Sequence, residues 1–131
     1  MQQTTYEPSD AELEILQLIW ELEPVGVREI YDRIAVKKDV GYTTVLKQIQ
    51  RLTEKGVLEK EEKGGTHLYR SLVRETEVKT RLAGKVLEAA FGGSALQMMM
   101  HALGNGKTSE TELQALKSWL DEQMQHDSDK I

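Results

Sequence analysis

Winding residues 42–54 into a helix sorts their side chains into two classes. Val45, Ile49 and Leu52 fall at i, i+4 and i+7 and make one apolar stripe. At about 100° per residue, Thr43, Thr44, Lys47 and Arg51 take the other side, interrupted there by Glu54. The chemistry available to that set is hydrogen bonding and charge, not bond making. Hydroxyls and cations donate to phosphate oxygens, and Arg51 can grip the O6/N7 edge of a guanine. Tyr42 opens the helix, and Gln48, beside the apolar stripe, carries an amide of the kind that pairs with adenine. A second polar set, Lys60, Lys63, Thr66 and His67, surrounds Gly64-Gly65, whose backbone N–H groups can approach a phosphate closely.

These side chains need elements to hold them. Ser9 and Glu12 have the spacing of a capping box, so a first helix is expected from about Asp10. Leu13, Leu16, Ile19 and Trp20 recur along it, and Pro24 and Gly26 stop it. A short second helix is expected over 27–35, with Val27, Ile30, Tyr31 and Ile34 on one face, then a polar connection over 37–41. Gly56 is placed to end the third helix. A hairpin follows, running in over 57–62, turning at Lys63-Gly64-Gly65 and running out over 66–72. Leu68, Arg70 and Leu72 share one face of the outgoing strand; His67, Tyr69 and Ser71 share the other. Three helices and then a hairpin is the order of a winged helix-turn-helix, in which the third helix enters a major groove and the hairpin reaches the neighbouring backbone.

Three further helices are expected, over 76–91, over 94–103, and from a second capping box at Ser109 and Glu112, with a polar, frayed tail from Gln125. Residues 75–131 are too few to bury Leu82, Val86, Phe91, Leu96, Met99, Leu103, Leu116, Trp119 and Leu120 among themselves. A second copy of the chain is the natural cover. The run Met98-Met99-Met100 reads either as packing filler or as a metal or small-molecule site between two copies, thioether-only metal sites being rare. The expected fold is therefore mainly α with a small β-hairpin wing: a winged-helix DNA-binding domain over 1–74 and a helical dimerisation domain over 75–131. Two functions fit it, a homodimeric DNA-binding repressor and a regulator whose effector binds at the helical dimer interface.

Composition narrows the field. The 131 residues carry a net charge of −5, which opposes DNA binding until its distribution is read. Residues 1–25 hold six acids and no Lys or Arg; residues 26–74 hold eleven Lys and Arg against seven acids; residues 75–131 hold six against nine. The basic stretch coincides with the second and third helices and the hairpin. No cysteine is present, which removes disulfides, thiolate metal sites and cysteine nucleophiles. His67, His101 and His126 lie far apart without ligand spacing, and Glu61-Glu62 sits at a hairpin end where solvation explains it. No catalysis, metal or cofactor is expected. No apolar run approaches the ~20 residues that span a bilayer, and residues 1–10 are polar and acidic, unlike a signal peptide. Membrane insertion is not expected, and a cytoplasmic location is.

The chain resembles the BlaI/MecI/CopY family of bacterial repressors. The resemblance is carried by Tyr42-Thr43-Thr44-Val45, by Arg51-Leu52-Thr53-Glu54-Lys55-Gly56-Val57-Leu58, by the opening from Ser9 to Trp20, by His67-Leu68-Tyr69-Arg70, and by Phe91-Gly92-Gly93-Ser94 through Leu103. It covers about residues 7–122. It implies a dimeric winged-helix repressor on a palindromic double-stranded operator, in many members derepressed when a membrane sensor metalloprotease triggers cleavage. The cleaved Asn-Phe bond of the β-lactam branch aligns with His101-Ala102 here, and the C-terminal cysteines of the copper-sensing branch have no counterpart. Lys47 stands where the β-lactam branch often has Thr, so operator sequences do not carry over.

Overall fold

Ser9 and Glu12 close the first helix as their spacing requires. The Ser9 Oγ accepts from the Glu12 N–H at 3.2 Å, and the Ser9 N–H donates to the Glu12 carboxylate at 3.0 Å. The computed structural model describes residues 6–128; residues 1–5 of the acidic N-terminal stretch and residues 129–131 of the polar tail lie outside them. Helix α1 spans Asp10–Leu22, α2 Val27–Ala35 and α3 Tyr42–Glu54. Strands β1 (Leu58–Lys63) and β2 (Thr66–Ser71) pair antiparallel, and helices α4 (Glu75–Phe91), α5 (Ala95–Leu103) and α6 (Glu110–Ser128) complete the described chain. The fold is mainly helical with one hairpin, a winged helix. Compactness divides it within α4, into one unit up to Ala83 and a second from Gly84.

The core of the first unit is the meeting of three stripes. Ile15, Leu16 and Ile19 of α1, Val27, Ile30 and Ile34 of α2, and Val45, Ile49 and Leu52 of α3 are buried together with Val25, Val57, Leu58 and Tyr69. The inner face of α1 is rotated from the expected one: Ile15 is fully buried, whereas Leu13 and Trp20 are half-buried. Trp20 stays at the edge because its indole N–H donates to Ser71 Oγ at 3.0 Å and to the Val73 carbonyl at 3.2 Å. A buried indole without those acceptors would forfeit a hydrogen bond.

Helix α3 ends in a Schellman pair. The Val57 N–H donates to the Leu52 carbonyl and the Gly56 N–H to the Thr53 carbonyl, with Gly56 at φ +81°. The hairpin turn holds two residues, Gly64 and Gly65, at φ +60° and +82°. Two positive φ values match the twist of the flanking strands, so Lys63 pairs with Thr66 as the last rung of the ladder instead of entering the turn. Tyr69 faces the core, and its backbone exchanges two hydrogen bonds with Val25, at 3.0 and 2.8 Å. That single bridge ties the hairpin to the entry of α2.

Glu12 links the two ends of this core. Beyond its cap it accepts from Tyr6 Oη at 2.9 Å and from Lys55 Nζ, at the C-cap of α3, at 2.8 Å. Burial works against its charge, but the hydrogen bonds from Lys55, Ser9 and Tyr6 and the Lys55 charge outweigh that, and its carboxyl lies below its ordinary value. A depressed carboxyl contributes stability above its unfolded pKa of about 4.3 and loses that contribution as the pH falls through its folded value. Glu12→Gln is therefore expected to cost about 1 kcal/mol at neutral pH and progressively less in acid. Urea midpoints of both proteins at pH 7 and pH 3 check this; a gap that does not narrow contradicts it.

In the second unit, Ser94 caps α5 through the Gln97 N–H, and Ser109 accepts from the Glu112 N–H in the first turn of α6. The last helix runs to Ser128, past the fraying expected at Gln125, because nothing from Gln125 to Ser128 breaks a helix. Among the described residues of this unit no side chain is fully buried.

Candidate nucleic-acid interface

The outward face of α3 carries the polar set. Thr43, Thr44, Lys47 and Arg51 are exposed, while Val45, Ile49 and Leu52 are at most 1% exposed. The helix is thus held entirely by one side. Tyr42, at its first turn, is 38% exposed and packs edge to face on Tyr31, with ring centroids 5.5 Å apart. Gln48 is half-buried; Gln50, not singled out from the sequence, is exposed instead. Helical geometry puts Thr44, Gln48 and Arg51 on one flank of the outward face and Tyr42, Gln50 and Thr53 on the other.

The hairpin stands on the second of those flanks. Between it and α3 runs a groove of about 800 Å³, lined among others by Arg28, Tyr42, Gln50, Lys60, Thr66 and His67. Glu54 is the one acid on its wall. Lys60 and His67 belong to the hairpin face that also carries Tyr69, because Lys60 pairs with Tyr69 and Glu62 with His67. Burial raises the Tyr69 hydroxyl above its ordinary value, helped by Tyr42, so it stays neutral. On the other hairpin face Arg70 donates to Glu61 at 2.9 Å, a contact that raises its pKa further and keeps it charged. His67 lies 3.9 Å from Glu62. Lys63 and Thr66 are exposed at the tip with Gly64 and Gly65.

No group of His, Asp and Glu able to hold a metal ion occurs among the described residues. No helix among them is long and apolar enough to cross a membrane. The residues proposed for the dimer line up differently: Leu82, Phe91, Leu103 and Leu116 are half-buried, whereas Val86, Leu96, Met99, Trp119 and Leu120 are between 41% and 67% exposed. His101 and Ala102 are exposed on α5, with the His101 ring 5.3 Å from Phe91.

A family model described as penicillinase repressor matches residues 8–122. The chain belongs to the penicillinase repressor family. That family is one of transcriptional repressors. Within it, the chain is 26% identical over 120 residues to the methicillin resistance regulatory protein MecI of Staphylococcus aureus strain N315, covering 92% of this chain and 98% of that one. It is 25% identical over 114 residues to the penicillinase repressor of Bacillus licheniformis, covering 87% and 89%. The fold agrees with a solution structure of the DNA-binding domain of the repressor BlaI, at TM-score 0.50 and 24% identity over 58% of this chain and 93% of that one. It agrees also with monomeric Bacillus licheniformis BlaI in complex with the blaP half-operator, at TM-score 0.51 and 24% identity over 56% and 90%. Membership in the penicillinase repressor family and the winged-helix fold meet the expectations drawn from the residues. Arg28 and Gln50 are groove residues that no local pattern singled out; their signal is three-dimensional.

Proposed function

We propose that this chain is a homodimeric repressor that sets α3 of each protomer into the major groove of one half of a palindromic operator. One observation carries the proposal: the apolar stripe of α3 is consumed by the core, so the face bearing Thr43, Thr44, Lys47 and Arg51 is free to meet a duplex. Arg51 and Lys47 read bases or grip phosphates, and the tip residues Lys63, Thr66 and His67 touch the adjacent backbone. The half-operator complex of the related BlaI supports a duplex as the partner. Residues 1–74 form the DNA-binding part and residues 75–131 the dimerising part, whose exposed Leu96, Trp119 and Leu120 are apolar area that a second copy removes from water. Each such side chain contributes about 1.5–3 kcal/mol when buried, before association costs. Two-fold symmetry of the protein is then mirrored by two-fold symmetry of the site.

Derepression follows the same physics. Cutting α5 at the exposed His101-Ala102 pair removes α6 and with it Leu103, Leu116, Trp119 and Leu120 of the proposed interface, and the half-sites are then bound one at a time. A membrane sensor metalloprotease is the partner this requires. An intact mass for the chain isolated from induced cells overturns the proteolytic step and leaves the repressor intact.

Titration against the duplex upstream of the chain's own gene tests the central claim. Arg51→Ala is expected to weaken binding by about 1–3 kcal/mol and to relax sequence preference at one position of each half-site. Lys63→Ala is expected to weaken binding evenly across sequences. Negligible effects from both overturn the placement of α3.

A further inference from the structure

We propose that Arg28 is a backbone-phosphate contact held ready by an aromatic pair, a role that rests on the repressor reading above. Its guanidinium carbon lies 5.7 Å from the ring centroid of Tyr31 and 5.7 Å from that of Tyr42. Both distances are within the range of cation–π attraction. The rings meet at 74°, so together they make a corner in which the guanidinium sits. An arginine drawn toward such a corner gives up part of its side-chain freedom before a ligand arrives, and its ordering adds less to the cost of binding. The stacking does not hide its donors, since 75% of the side-chain area stays exposed. Asp32, one helical turn on, lies 3.7 Å from Nε and is itself 60% exposed. That separation is beyond a good hydrogen bond, and exposed pairs of this kind contribute little.

The position gives this cation its use. Arg28 is the second residue of α2 and lines the groove between α3 and the hairpin, together with Lys60 and His67. Arg28 and Lys60 thus line one channel open to solvent whose wall holds a single carboxylate, Glu54, with Asp32 beside Arg28 outside that lining. A planar fork of exposed donors beside a second cation fits the paired oxygens of a phosphodiester. Tyr42 is also the first residue of α3. A phosphate held at Arg28 therefore fixes where the reading helix begins along the groove. This sets register, not base identity.

Anisotropy titrations of the full chain across a salt series test this. The probes are two labelled duplexes of about 30 base pairs, one from the region upstream of its own gene and one with that sequence scrambled. Arg28→Ala is expected to reduce the slope of log affinity against log salt by about 0.9 per protomer. It is expected to weaken both complexes by the same factor, roughly tenfold. Arg28→Lys is expected to keep the slope and lose part of the affinity, because an ammonium keeps the charge without the planar stack. Tyr31→Leu, which leaves the charge and removes one wall of the corner, is expected to behave as Arg28→Lys does. An Arg28→Ala protein with the slope and affinity of the wild type overturns the inference, as does a loss confined to one of the two duplexes. A wild-type chain that binds neither duplex overturns the repressor reading itself, and this inference with it.

Discussion

Trp119→Glu is expected to yield a monomer and to lower affinity for a full operator by about 10²–10⁴-fold, while leaving affinity for an isolated half-site unchanged. Trp119 is 55% exposed in the single chain, and the neighbouring Leu120 is 46% exposed. A carboxylate at that position therefore costs the folded protomer little. In a two-fold interface it would be buried twice, without a partner, which is expensive. On the dimer proposal, the loss in operator affinity comes from linkage: with one α3 seated, the interface would hold its twin at high effective concentration over the other half-site. Sedimentation analysis and titrations on full and half operators measure the two effects separately. A monomeric Trp119→Glu protein that still held the full operator at wild-type affinity would sink the dimer proposal.

The second large effect concerns α3, the helix proposed to read the duplex. Ile49 is fully buried at the centre of the α3 stripe, among Ile15, Leu16, Ile19 and Ile30. Ile49→Ala is expected to cost about 2–5 kcal/mol, the lost transfer energy plus the cavity left behind. Total stability in a domain of this size is about 5–15 kcal/mol, so the loss is a large share of it. Lys47→Ala, two residues away on the exposed face, is expected to stay within about 0.5 kcal/mol. Urea unfolding of the two variants compares the inner and outer sides of one helix directly. Equal costs would mean that α3 is not held by one face.

Much of this was legible before any coordinates. The bounds of α1, α2 and α3 were readable because apolar spacing and end signals agree there: Ser9 with Glu12 at one start, Pro24 and Gly26 between helices, Gly56 at an end. The exposed apolar side chains of the second unit, among them Leu96, Trp119 and Leu120, were readable as a shortage of chain. What escaped was decided at long range. Ile15 competes with Leu13 and Trp20 for the inner face of α1, and the contest is settled by Ser71 and Val73, which accept the Trp20 N–H from more than fifty residues away. Alternation in β2 gave two faces without saying which turns inward; the backbone bridge from Val25 to Tyr69 settles that. Arg28 carries no local signature, because Tyr42 comes from the next helix. Gln48 and Gln50 differ by two residues and so by more than half a turn, which is the difference between the edge of the core and open solvent.

The bridge at Val25 has a mechanical consequence. It grips β2 at Tyr69, opposite Lys60, and only three rungs of the ladder lie beyond, closed by Gly64-Gly65. At about 3.4 Å per residue the overhang is roughly 10 Å. The hairpin is therefore a cantilever: clamped at the same junction that launches α2, free at the end that bears Lys63. On the proposed mode of binding, bending at that free end would let the tip follow backbones of differing groove width, while α3, held to the core by one side, would keep a fixed attitude toward the bases. On that mode, tolerance for shape and strictness for sequence would fall to different parts of one small unit.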